Sequence, residues 1–512
     1  MSENSKKRSL SEIEDNSKVE LEHKKKDDNE EEEEEDDDDD GDITNQRVKK
    51  KLHLQRKDCP YLDTVNRNLI DFDFEKVCSV SFNNHNVYMC LVCGKSFQGK
   101  SQDSYANLHC LQSNHHVFIN LHNQKIYCLP DDYEVIDSSL DDIKYLLNPT
   151  YSKEQIQKLD ENSKYSRALD GTQYLSGMVG LNVIKNNSYF NVCIQLLSKV
   201  PMLRNYFIDN TLSTKVQLSK SPLSQSLSEL LRKVWNYRNF KSQVSPLEMM
   251  QVVQNISNRK FVIGENSDPL DLLQWLLNQC HQELGGTKDI NSSIIYQTFA
   301  GEIQLTSKIL LNKESNNNSK EQTLSEQQQK DSKKFKITKT KQPFLFLSLD
   351  LPPKPVFKDE KDKSILPQVS LFTLLEKYSG RENTMLNGDI KSYKILKLPE
   401  YLIFVIKRFS ENNFHWQKEP TIVNFPLKNL DLSEYLNIEQ KETYNLHSLI
   451  KHESNSLVRY EGEPDDSKYS IYINHKATDK WFEFQDLVVK KTMTQLINVS
   501  ECYLLVYEKN KK

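Results

Sequence analysis

The stretch that decides how this chain is read is VGLNVIKNNSYFNVCIQLL, residues 179–197. A loop of Gly, Leu and Asn runs into an apolar stripe at helical spacing: Phe190, Cys193, Ile194 and Leu197. Ser188 stands where that helix begins. Loop-to-helix junctions suit nucleophiles, because the first helical N–H groups favour negative charge. They also suit a serine that caps the helix. The rest of the chain decides between the two.

Around this stretch, residues from about 175 to 509 read as one large mixed domain. Helices are expected at 189–200, 222–237 and 269–283, followed by strands at 342–352, 401–409, 468–475, 481–486 and 502–509. The segment 312–341 is polar and low in complexity and is expected to be a disordered insertion at a loop tip. Residues 136–174 read as a polar, helix-leaning linker.

The chain has 512 residues and a net charge of -5, unevenly spread. Residues 1–40 alone carry 19 acidic and 7 basic side chains, so the body is mildly basic. Glu30–Asp40 is an unbroken acidic run that repels itself and buries nothing, so 1–54 is expected to be a disordered tail, acidic then basic. The basic run RVKKKLHLQRK (47–57) beside it suggests nuclear import. No apolar run reaches the length of a membrane span, and MSENSKKRSL has no apolar region for a secretory signal. The cysteines are therefore expected to be reduced, and clustered ones to bind metal.

Six of the nine cysteines fall between 59 and 128, marking a small module at 55–135. Within it Cys90, Cys93, His109 and His115 form Cys-x2-Cys-x15-His-x5-His, the donor set of closed tetrahedral zinc. His116 adjoins His115 and is the alternative fourth ligand; Cys110 reads as a bystander. Gly94 suits the tight turn after the second thiol. Four protein ligands leave no position for water, so one zinc here is structural and not catalytic.

These features together resemble the ubiquitin-specific proteases that carry a ubiquitin-protease-type zinc finger. A narrower likeness, to a catalytically inactive branch associated with the spliceosomal tri-snRNP, rests on CPYLDTVNRNLIDFDFEKVCSVS, CLVCGKSFQG, HHVFINLH, YCLPDDYEVIDSSLDDI, VPMLRNYF and PTIVNFPLKNLDLSEYL. The resemblance covers nearly everything beyond residue 55. It implies an α+β architecture: the finger, then a papain-like fold with a helical thumb and a strand-rich palm and fingers.

Active members of that family use a Cys nucleophile, a His base and an Asp or Asn that orients it. Aligned on Gly180, Leu181, Tyr189, Asn191 and Gln195, the nucleophile position holds Ser188. The oxyanion Asn is replaced by Val183, and a Gly three residues before the nucleophile by Lys185. In SKYSIYINHKATDKWFEFQD, anchored on Tyr469, Tyr472, Trp481 and Phe484, Lys468 holds the base position and Gln485 the orienting one. Asp486 is one residue off, which on a strand points it to the other face. Ser188 then reads as a helix N-cap, and no catalytic residue is assigned. A Ser188–Lys468 dyad is the competing arrangement, and needs a neutral lysine and new oxyanion donors.

The family's multi-zinc fingers carry further Cys and His where this chain has Ser81, Gln98 and Tyr105, leaving Cys59, Cys78 and Cys128 without partner sets. An Arg that grips the ubiquitin C-terminus in relatives is matched by Lys100, which lacks the bidentate fork, so ubiquitin capture is not expected. No cysteine lies between Cys280 and Cys502, so any fingers are zinc-free; His452 and His475 read as core or surface histidines. The resemblance implies a nuclear, non-catalytic scaffold in pre-mRNA splicing with tri-snRNP proteins as partners. No RNA-recognition motif is visible, so direct RNA contact is unsupported. A deubiquitinase with Ser–Lys chemistry and a ubiquitin-binding adaptor are the alternatives.

Overall fold

The computed structural model describes residues 55–510 apart from 210–220, 311–334, 353–366, 382–383, 387–388, 413–414, 434–441, 455–457, 461–466 and 499. The expected tail 1–54 and the insertion up to 334 lie outside the described residues. Residues 335–341, expected within that insertion, instead belong to a strand, Phe335–Phe344, paired antiparallel along Gly301–Leu310. Alternation of Ile, Thr and Lys there suits an exposed edge strand.

The palm is an eight-stranded sheet. Its main path runs Phe346–Asp350, Tyr401–Lys407, Cys502–Lys509, Thr443–Glu453, Lys468–His475, Lys480–Gln485, Val488–Thr492. The first two strands are parallel and the other neighbours on this path antiparallel. The central run YLIFVI, residues 401–406, is apolar throughout because both faces are covered, and only Lys407 at its end is exposed. Ile403 and Val405 enter one core with the helices, while Leu402, Phe404 and Ile406 enter a second core on the far side. The thumb helices are Ser188–Ser198, Pro201–Ile208, Pro222–Trp235, Leu247–Ile256 and Pro269–Glu283. Every residue of Ser188–Ser198 is buried, which places this helix at the centre of the domain.

The finger is a six-stranded sheet with the helix Tyr105–Ser113. Its strand Val87–Cys90 alternates between two small cores, Val87 and Met89 into one, Tyr88 and Cys90 into the other. Residues 136–174 are not a free linker. Leu140, Ile143 and Leu147 complete the finger core, whereas Tyr151, Ile156, Leu159 and Tyr174 join the thumb core.

The segment between the first two strands of the finger sheet, Gln55–Arg56 and Val87–Cys90, ties the two units together. Asp73 accepts from Lys233 Nζ at 3.2 Å and from the Ser245 N–H at 3.0 Å, and Lys233 also donates to the Phe72 carbonyl. Asp71 pairs with Lys241, Glu75 accepts from Gln251, and Lys76 reaches Glu248 at 3.2 Å. These acids belong to LIDFDFEKVC, so part of the stretch that carries the family likeness is a docking strap.

A buried imidazole gives the palm a pH dependence. His447 lies beneath the thumb, its Nε2 3.0 Å from the Lys199 carbonyl and its Nδ1 3.2 Å from Ser448 Oγ. Burial pushes the ring down from 6.5 to about 4, with Glu508 opposing and Lys476 assisting. The unfolded chain therefore takes up a proton near pH 6.5 and the folded chain only near 4, so stability falls as pH drops through that window. The loss is on the order of 3 kcal/mol. His447→Phe should remove about this much of the fall in unfolding free energy between those pH values, as read by urea unfolding. An unaltered profile would count against the assignment.

Candidate metal centre and candidate active site

In the finger, the strand Val87–Cys90, the turn after it and the helix Tyr105–Ser113 bring four donors together. Ligand atoms of Cys90, Cys93, His109 and His115 all lie within 4.8 Å of one another. Cys93 Sγ is 3.4 Å from His109 Nε2, which is 3.1 Å from His115 Nδ1. Zinc–ligand lengths of about 2.0–2.3 Å in a tetrahedron require donor separations of this size. The residues therefore fit the ion. His109 Nδ1 lies 3.3 Å from Ser113 Oγ, which leaves Nε2 for the metal. Gly94 has φ +73, and a Cβ there would collide with the Leu69 carbonyl.

His116 turns away from the cluster: its Nδ1 meets the Leu129 carbonyl at 2.8 Å and its ring stacks on Tyr61. Cys110 donates to the same carbonyl at 3.0 Å. Cys59 and Cys128 sit in the finger's apolar core beside Tyr133, where burial pushes the Cys128 thiol up to about 12. Cys78 Sγ accepts the N–H groups of Val80 and Ser81 at 3.5 Å, and Ser81 Oγ donates to Gln98 Oε1 at 2.9 Å. Side chains at two of the three substituted family positions thus bond to each other. Lys100 is held by both oxygens of Asp132, at 2.6 and 2.7 Å, with its ammonium over the Tyr127 ring.

In the large domain, Ser188 is the first residue of its helix and not its cap. The cap is Asn187, and Ser188 Oγ accepts the Tyr469 N–H at 3.2 Å, tying helix to palm. The N-cap expectation is corrected accordingly: a bond spanning 281 residues, invisible to local pattern, claims the hydroxyl. Lys468 is exposed and makes no hydrogen bond with Ser188 among the described residues. Its strand neighbour is Glu453, which accepts from Gln485 Nε2 at 2.9 Å and from Ser470 Oγ at 2.9 Å. Val183 is 53% exposed with no donor side chain. Lys185 and Asn186 have φ +47 and +50, so the backbone keeps a left-handed turn in which a glycine costs least.

Asp486 also departs from expectation. It follows the strand Lys480–Gln485 with φ +52, and this turn swings its carboxylate back onto the helix, where Asn191 Nδ2 donates to it at 2.7 Å. Burial raises its pKa, with the Asn191 amide and Lys468 opposing. Asn187 Nδ2 donates to Asn191 Oδ1 at 3.2 Å and to the Asn182 carbonyl at 3.1 Å, while its Oδ1 accepts the Ile184 N–H. A carboxamide network thus knits loop, helix and hairpin beside Ser188 and Gln485. Sequence reasoning misses Asn187 and Glu453 and uses Asn191 only for alignment. The one available signal is NNSYFN, three amides in six residues. His452 and His475 are both buried, His452 among Phe409, Trp416 and Tyr469.

A ubiquitin-protease-type finger strapped to a two-core palm and helical thumb is the layout of the ubiquitin carboxyl-terminal hydrolases. The chain belongs to that family: the model for ubiquitin carboxyl-terminal hydrolase matches residues 179–507, and that for the zinc finger in ubiquitin-hydrolases and other proteins matches 78–140. It is similar to ubiquitin carboxyl-terminal hydrolase 39 of Homo sapiens, 45% identical over 461 residues, 88% of this chain and 80% of that one. It is 40% identical to the probable mRNA-splicing protein ubp10 of Schizosaccharomyces pombe, over 88% of each. A solved structure described as an essential yeast splicing factor covers 88% of this chain and all of its own, with TM-score 0.69 and 25% identity. No helix among the described residues is long and apolar enough to cross a membrane.

Proposed function

We propose that this protein is a non-catalytic, protease-like scaffold in pre-mRNA splicing, working in the nucleus on protein components of the tri-snRNP. The splicing names of its relatives support the process. The observation that carries the non-catalytic reading is the Asn187–Asn191–Asp486 network, with Gln485 turned to Glu453 and Lys468 out in solvent. A hydroxyl nucleophile needs a base within hydrogen-bond reach, and loss of one oxyanion donor alone costs roughly 10²–10³ in rate. Cys90, Cys93, His109 and His115 hold one structural zinc, and Lys100, clamped by Asp132, does not serve to grip ubiquitin.

A splicing extract depleted of this chain tests both halves. Depletion should abolish or strongly slow splicing, and wild type and Ser188→Ala should restore it equally. An extract that splices normally without the chain refutes the process. Rescue by wild type but not by Ser188→Ala, paired with release of ubiquitin from a conjugate, refutes the scaffold.

A further inference from the structure

The second, smaller sheet projects from the palm and is built of Phe335–Phe344, Gly301–Leu310, Asp389–Lys397 and the short Thr384–Leu386. Its register separates two faces. Ile303 and Ile395 pair directly and are buried in the second core, with Tyr393 packed beside them. The opposite face carries rungs Lys341–Gln304–Lys394, Lys339–Thr306–Ser392 and Ile337–Lys308–Ile390. Four lysines therefore share one face of three adjacent strands, interleaved with an amide and two hydroxyls. Lys339 and Lys341 are exposed, Lys308 and Lys394 half-buried, and none forms an ion pair among the described residues. The acidic residues of these three strands stand at their ends, Glu302 beside the palm and Asp389 at the opposite end.

We infer that this lysine face binds the phosphate backbone of duplex RNA, a role that goes beyond the scaffold reading and does not depend on it. Lysines two apart on a strand are separated by about 6.7 Å, and those on adjacent strands by about 4.8 Å. They form a grid of positive charge with hydrogen-bond donors between. The three rungs that carry the lysines hold no aromatic residue, Phe335 following one rung beyond at the end of its strand, and single strands are gripped by stacking successive bases on several such rings. Backbone binding to a duplex needs only cations and polar donors, and carries no sequence preference. The competing occupant is the chain's own Glu30–Asp40 run, which has complementary charge.

The test is fluorescence anisotropy of the full-length protein with a generic 20-base-pair RNA duplex, titrated between about 50 and 200 mM salt. Wild type should bind, with affinity falling steeply as salt rises. Lys339→Gln/Lys341→Gln should weaken binding about tenfold and reduce the logarithmic salt slope by about two, roughly 0.9 for each phosphate no longer neutralised. Lys490→Gln/Lys491→Gln, an equal charge change on exposed lysines of another strand, should bind as wild type does. Absence of wild-type binding, or equal weakening in both variants, overturns the inference. Binding that appears only after deletion of residues 1–40 also overturns it, in favour of the chain's own acidic run as occupant.

Discussion

Stripping zinc from the full-length protein, or replacing Cys93 with Ser, is expected to unfold the ligand side of the finger while the protease-like domain remains folded. The apolar cluster on the ligand side is small: Tyr88, Phe97, Ala106, Cys110, Phe118 and Leu129, with Cys90 itself. That cluster by itself cannot offset the chain entropy of the ligand side, whereas the finger's other core, around Val87, Met89 and Ile119, is larger. Structural zinc contributes apparent binding energies of about 10–16 kcal/mol, which is folding energy when no site exists in the unfolded chain. Amide exchange should show protection disappearing over the helix Tyr105–Ser113 and its flanking strands, and persisting over Ser188–Ser198. Elemental analysis should find one zinc per wild-type chain and none in the variant. A finger that keeps its protection without metal would refute the structural role.

The second large effect falls on Asp160. Arg204 is fully buried, its guanidinium 4.4 Å from the Trp235 ring centroid and bidentate to Asp160 at 2.7 and 2.9 Å. Burial raises the Asp160 pKa, but the hydrogen bond and charge of Arg204 outweigh it and leave the carboxyl below its ordinary range. Asp160→Ala leaves a cation in the core without its counter-ion, at a cost of about 3–5 kcal/mol. Replacing both partners, Asp160→Leu with Arg204→Met, should recover most of that stability, because the pair's desolvation disappears with it. Urea unfolding followed by tryptophan fluorescence reads both. A single variant as stable as wild type would show that the pair contributes little.

The Asp160 pair also shows what local pattern conceals. Residues 136–174 are polar enough to read as a connector, yet one half closes the finger core and the other is clamped to the thumb. Thr443–Glu453 does not stand out as a strand, although it lies at the middle of the palm. Its sequence, TYNLHSLIKHE, mixes His, Asn, Ser and Lys with its apolar residues, so it lacks the clean run of YLIFVIK. Its His447 is satisfied by a neighbour far away in the chain, the Lys199 carbonyl. Strands with denser apolar runs are legible: 468–475 and 502–509 match the observed ends.

By itself the sequence determined the family and the major helices, and pointed to the finger's four donors and to Ser188, Lys468 and Gln485 at the positions aligned with nucleophile, base and orienting residue, because residue identity and spacing are properties of the chain alone. Only the tertiary structure decided what those substituted positions do. Ser188 braces a strand, Asp486 turns inward and Gln485 turns to Glu453, since each of these bonds joins segments that burial of two shared cores, and not adjacency, brings within hydrogen-bond reach.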